Sequence, residues 1–232
     1  MIEVRPFETL GGANHGWLDA HHHFSFAEYY DPKRMSWGRL RVWNDDLIAP
    51  KSGFPPHPHR DMEIITYVRT GAITHQDSMG NQGRTAAGDV QVMSAGTGVR
   101  HAEFNLEDEN TTLFQIWIEP DAGGGKPDWG AKQFPKSDRS GSWSILASGK
   151  GDDGALTIRA DARVVGATLE AGQELTWETE PHRHVYAVPA TGVIEVDGKR
   201  VNARDGLAFT GGTKVTFKAI EGPAEIVLTD TL

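Results

Sequence analysis

The chain has 232 residues, 38% hydrophobic and 24% charged, a balance that supports a globular core without covalent staples. The 23 Lys and Arg against 32 Asp and Glu leave a net charge of −9, which argues against a broad basic face for gripping nucleic acid. With no cysteine, disulfides, thiolate nucleophiles, zinc fingers and iron–sulfur clusters are excluded together.

The opening stretch MIEVRPFETLGGANHG lacks the basic and apolar regions of a signal peptide, and no apolar run approaches the length of a membrane span. The expected location is therefore the cytoplasm, with no membrane partner. His21, His22 and His23 are internal and run straight into patterned sequence, unlike a purification tag. The best helical stretch is short, near Phe26 to Tyr30. Strand-like runs follow: RLRVWN (39–44), MEIITYV (62–68), AITHQD (72–77), DVQVMS (89–94), RHAEFN (100–105) and TLFQIWIE (112–119). They are rich in β-branched and aromatic residues, and turn signals such as Gly96-Thr97-Gly98 separate them. Residues 121–142, DAGGGKPDWGAKQFPKSDRSGS, have the composition of a linker. After residue 143 a second series of short strands runs to the end. The expected class is all-β, with one barrel-type domain over 1–125 and another over 143–232. Gly71 in YVRTGAI aligns with Gly192 in VPATGVI, as a duplicated barrel would require.

Chemistry concentrates in the first half. His57-Pro58-His59 and His101-Ala102-Glu103 each place two ligand-type residues two apart, on one face of a strand. A lone His-x-His is most often a surface pair. Two such pairs on neighbouring strands bring three imidazoles and one carboxylate to a point. That set suits iron, manganese, cobalt, nickel, copper or zinc, and four protein ligands leave an octahedral ion two open positions.

The stretches HPHRDMEIITYV, HQDSMGNQG, GDVQVMSAGTGVRHAEFN and FQIWIEP resemble the pirin family, as do HFSFAEYYDP and LRVWNDDLIAP. The resemblance is dense from residue 2 to about residue 120 and looser beyond, where the chain is closer to bacterial quercetinase-type members. It implies two cupin (jelly-roll) barrels, a bicupin. It also implies one divalent transition metal per chain, iron first among the candidates, held by His57, His59, His101 and Glu103. The general cupin pattern nominates Glu63 as the carboxylate instead, and both acids have the parity to face inward; the family match favours Glu103.

Other inward candidates are Phe54, Met93, Phe104 and Phe114 as pocket walls, and Asn105, Gln115, His23 and His75 as hydrogen-bonding supports. Asp45 and Asp46 read as turn residues. In the second half, Glu178 and Glu180 fall at the positions of His57 and His59, and His182 and His184 are out of phase, so no metal site is expected there.

Two functions follow from the resemblance. The first is a metal-dependent dioxygenase that opens a flavonol such as quercetin with O2, with Glu103 as general base on the 3-hydroxyl of a small phenolic substrate. The second is a non-enzymatic, redox-sensitive metal protein that docks on a partner protein. Neither reading includes direct contact with nucleic acid.

Overall fold

The computed structural model describes residues 2–212 and 214–232. Among these residues the strands form three sheets. A seven-stranded sheet runs in the order Asp128–Lys132, Val90–Ser94, Glu63–Thr70, Thr111–Ile118, Leu40–Ile48, Leu18–His22, Gly11–Asn14. A four-stranded sheet, Ser52–His59, Val99–Asn105, Ala72–Asp77, Gln82–Ala86, lies across it and completes the first cupin barrel. The second cupin barrel is a nine-stranded sheet built on two long strands, His184–Val196 and Lys214–Thr231. Register shifts between Pro189 and Ile194 break these strands, and the sheet turns there. Gly71 and Gly192 take φ of +73° and +77°, and a Cβ on either would sit within 2.5 Å of a neighbouring strand. Only glycine fits both constraints, and the two positions correspond in the two barrels.

The seven-stranded sheet is the middle layer of the molecule. Ile65, Tyr67, Val92 and Ile116 point to one side and pack against Leu146, Val164, Val188 and Val227 of the second half. Ile64 and Met93 point to the other side, with Val99 of the four-stranded sheet. Two-sided burial explains why MEIITYV and DVQVMS read as continuous apolar runs rather than alternating ones. Each fully buried aliphatic side chain in this layer contributes about 1.5–3 kcal/mol of transfer free energy.

Three expectations change. Phe26–Tyr30 is a turn closed by an isolated bridge between Phe26 and Tyr29, not a helix. Within the linker-like 121–142, Asp128–Lys132 forms an edge strand on Val90–Ser94 and Lys136–Arg139 a short 3-10 turn. Composition missed them because both are held by tertiary pairing. Near the N-terminus, Glu3–Arg5 pairs with Gly206–Thr210 in the sheet of the second half. Among the described residues, no helix is long and apolar enough to cross a membrane.

Candidate metal centre

Ser52–His59 is an edge strand, so Pro55, Pro56 and Pro58 leave no ladder donor missing on a paired side. It pairs antiparallel with Val99–Asn105, which sets His57 opposite His101. A register shift then places Glu103 opposite Phe54. Such a bulge re-aims side chains locally. His57 and His59 are half-buried between exposed Pro58 and Arg60, whereas His101 and Glu103 are buried at 2% and 1% exposure.

Two sets of three ligand atoms, each set within 4.8 Å, occur among the described residues: His57, His59, His101, and His75, His101, Glu103. His101 belongs to both. His57 donates Nδ1–H to the Pro55 carbonyl at 2.8 Å, which leaves its Nε2 lone pair pointing inward. That Nε2 lies 3.0 Å from His101 Nε2, and His59 Nε2 is buried without a hydrogen-bond partner. Burial and then the neighbouring imidazoles push His59 and His101 down to about 3. Both rings are therefore neutral at pH 7, in the form that binds metal. Inward lone pairs at this separation fit a cation.

Glu103 accepts from Gln91 Nε2 at 2.6 Å and Thr66 Oγ1 at 3.2 Å on one oxygen, and from Gln115 Nε2 at 2.6 Å on the other. These three donors come from the seven-stranded sheet, so Glu103 ties the two sheets of the barrel together. A cavity of about 230 Å³ opens over the cluster, with apolar walls from Leu18, Phe26, Phe54 and Trp117. His22, Asn44 and Asp46 also line it. Asp46 Oδ1 is buried with no hydrogen-bond partner, and burial, then Asp45 and Glu103, hold this carboxyl well above the usual carboxylate range.

The structure sorts the other candidates. Glu63 accepts from Ser94 Oγ of the neighbouring strand at 2.6 Å and shares its strand face with Ile65, which packs against the second half; it is not a wall of the cavity. Parity alone did not separate it from Glu103, because its strand is buried on both faces. Asp45 and Asp46 are not turn residues but lie within strand Leu40–Ile48. Asp45 accepts from Arg69 and Arg204, and Asp46 looks into the cavity. Gln115 supports Glu103 as expected, and His75 lies against His101. Asn105 instead donates to the carbonyls of Ile48, Ala49 and Glu109, holding a loop. His23 hydrogen-bonds Tyr186 Oη between the halves. Phe54 lines the cavity; Phe114 and Met93 belong to packed clusters, and Phe104 is not a wall. Sequence reasoning missed Thr66, Gln91, Asp46 and Trp117. The first two were visible only as polar residues flanked on each side by apolar or aromatic ones.

In the second barrel, Val196 lies opposite Phe217, as His75 lies opposite Glu103 in the first. Trp177 lies opposite Val215, as His57 lies opposite His101. The register thus matches His57 to Trp177. The expectation of Glu178 came from counting back from Gly71 and Gly192, and the stretch from Trp177 to Gly192 is one residue longer than that from His57 to Gly71. Glu178, Glu180 and His182 are exposed.

Two cupin barrels, the first holding a histidine–carboxylate cluster under an apolar cavity, define a bicupin with a candidate metal centre. Residues 3–118 match the family model described as Pirin, and residues 145–231 match that described as quercetinase C-terminal cupin domain. A pirin-like protein of Caulobacter vibrioides is 64% identical over 231 residues, covering 99% of each chain. A quercetin 2,3-dioxygenase of Escherichia coli is 39% identical, covering 99% of this chain and 98% of its own. The solved bacterial pirin YhhW of E. coli in complex with nickel(II) superposes with a TM-score of 0.93 at 38% identity, covering 100% of this chain and 99% of its own. The chain belongs to the pirin family.

Proposed function

We propose that this protein is a metal-dependent dioxygenase of the quercetinase type, opening the central ring of a flavonol with O2. The observation that supports the reading is an apolar-walled cavity lined by His57, His59 and Glu103, with His101 within ligand distance of the two histidines behind it. Relatives with the printed name quercetin 2,3-dioxygenase support the substrate class. The four side chains would hold one divalent ion. Three imidazoles and a carboxylate suit several first-row metals, and a reaction with O2 favours a redox-active one, iron first. When bound, the ion would supply Lewis acidity toward the flavonol oxygens and a site for O2.

The chain's own residues do the rest. Phe54, Trp117 and Phe26 take the flat aromatic rings and exclude water. Glu103 accepts the proton of the 3-hydroxyl, and Gln91, Thr66 and Gln115 hold its carboxylate in place. Both oxygen atoms enter the opened product, and one ring carbon leaves as carbon monoxide. The test is carbon monoxide release from quercetin under air by protein loaded in turn with each of the candidate metals. Release with at least one metal is expected. Its absence across all of them, with loading verified by elemental analysis, overturns the dioxygenase reading.

A further inference from the structure

His75 and Asp77 lie behind the metal centre, on the side of His101 away from His57 and His59. The strand register creates this arrangement: in Ala72–Asp77, Asp77 lies opposite His101 and His75 opposite Glu103. His75 Nε2 is 3.1 Å from Asp77 Oδ2, and His75 Nδ1 is 3.4 Å from His101 Nδ1. His75 is fully buried. We propose that Asp77 and His75 are positioning residues that act through His101, fixing which of its ring nitrogens faces the metal and strengthening it as a donor. The proposal rests on the metal centre proposed above, not on the identity of the substrate.

The proton assignments follow in order. Asp77 accepts from the backbone N–H groups of Met79 and Asn81 and from the Asn81 side chain. A carboxylate occupied in this way can only accept from His75, so His75 carries its proton on Nε2. A neutral His75 then has a bare Nδ1, which accepts from His101 Nδ1–H. This leaves the His101 Nε2 lone pair directed at His57 and the candidate ion position. The partial negative charge that Asp77 passes through His75 raises the basicity of His101, as carboxylate partners do for metal-binding histidines in general.

The surroundings hold this chain rigidly. The Trp129 indole stacks on the His75 ring, with centroids 4.8 Å apart and planes 8° from parallel. Gly83, opposite His75 in the next strand, makes room for it; a Cβ there would stand 2.3 Å from the indole. The second barrel has no such chain, because the residues corresponding to His101 and His75 are Val215 and Val196.

The primary test needs no variant. Long-range proton–nitrogen NMR of the metal-free protein reads which nitrogen of each imidazole is protonated. His75 protonated on Nε2 and His101 on Nδ1 are expected; His101 protonated on Nε2 overturns the proposal. Nickel(II) affinity, measured by competition with a chelating dye, gives the second readout. His75→Phe keeps a flat ring against Trp129 but removes the acceptor. It should weaken nickel binding by about 10- to 100-fold, the range for outer partners of metal ligands. His75→Gln, which keeps an acceptor for His101, should recover part of that loss. An unchanged nickel affinity in a folded His75→Phe protein also overturns the proposal. Failure of the wild type to bind nickel would count against the metal centre itself, while the tautomer result would still decide the chain.

Discussion

In the first barrel Glu103 lies opposite His75 across an antiparallel pair; in the second barrel Phe217 lies opposite Val196 at the corresponding register. The same substitution of chemistry repeats around both interiors. His101 answers to Val215 and His57 to Trp177. The second interior is closed by Val185, Phe209, Phe217 and Leu228 in one continuous apolar cluster. The first gives part of that volume to Thr66, Gln91, Gln115 and Glu103, and leaves a cavity beside them. One strand plan thus yields a packed apolar barrel and a polar barrel that carries the candidate metal centre. Most buried polar groups of the first have partners, and of those atoms that lack one, His59 Nε2 and Asp46 Oδ1 belong to residues that line the cavity.

The comparison breaks most directly at the metal. Elemental analysis of protein purified without chelators should find one transition-metal ion per chain. His101→Ala should abolish nickel binding, whereas His182→Ala should leave it at the wild-type level. Glu103→Gln should weaken binding beyond the roughly 100-fold typical of outer partners, because a neutral amide replaces an anionic oxygen. Glu63→Gln should leave it unchanged, since Glu63 shares the strand face of Ile65 and is not a wall of the cavity. Two ions per chain, or the reverse order of the two glutamates, would erase the distinction between the barrels.

The second barrel should show its difference in stability. Phe217→Ala removes a fully buried ring and should cost about 3–5 kcal/mol in urea unfolding. Nickel affinity should stay unchanged in that variant while it is folded. A loss of metal with Phe217→Ala would mean that the two interiors are coupled.

The smallest expected effect is the pH dependence of the metal-free protein. His59 and His101 sit at about 3 when folded and near 6.5 when unfolded. Between those values the unfolded chain binds more protons, so stability is present above about pH 6.5 and is lost progressively as pH falls toward 3. Urea midpoints measured from pH 7 to pH 4 should decline. His101→Ala should flatten the decline, and an unchanged slope would locate the acid sensitivity elsewhere. Loading with nickel should shift the decline to lower pH, because bound metal competes with protons for the same lone pairs.

Much of this was legible in the residues. Alternation and turn chemistry identified the strands, and the family resemblance identified two cupin barrels. The i, i+2 spacing of His57 with His59 and of His101 with Glu103 is a local property: a strand carries it wherever it lies. Glycine at 71 and 192 was likewise readable, because a positive φ beside a close strand leaves no other residue comfortable. Tertiary structure decided the rest. Which face of Glu63–Thr70 is the inside of the barrel cannot be read from a strand buried on both sides, so Glu63 and Glu103 were separable only through the family resemblance. The match of His57 to Trp177 depends on strand pairing, which counting back from Gly71 and Gly192 misses by one residue. Trp129 looked like part of a linker because its strand gains its ladder and its stacking partner only from distant residues. The chain from Asp77 through His75 to His101 joins residues that are close only because two antiparallel strands align, and hydrogen bonds of 3.1 and 3.4 Å depend on an alignment that the order of residues does not contain.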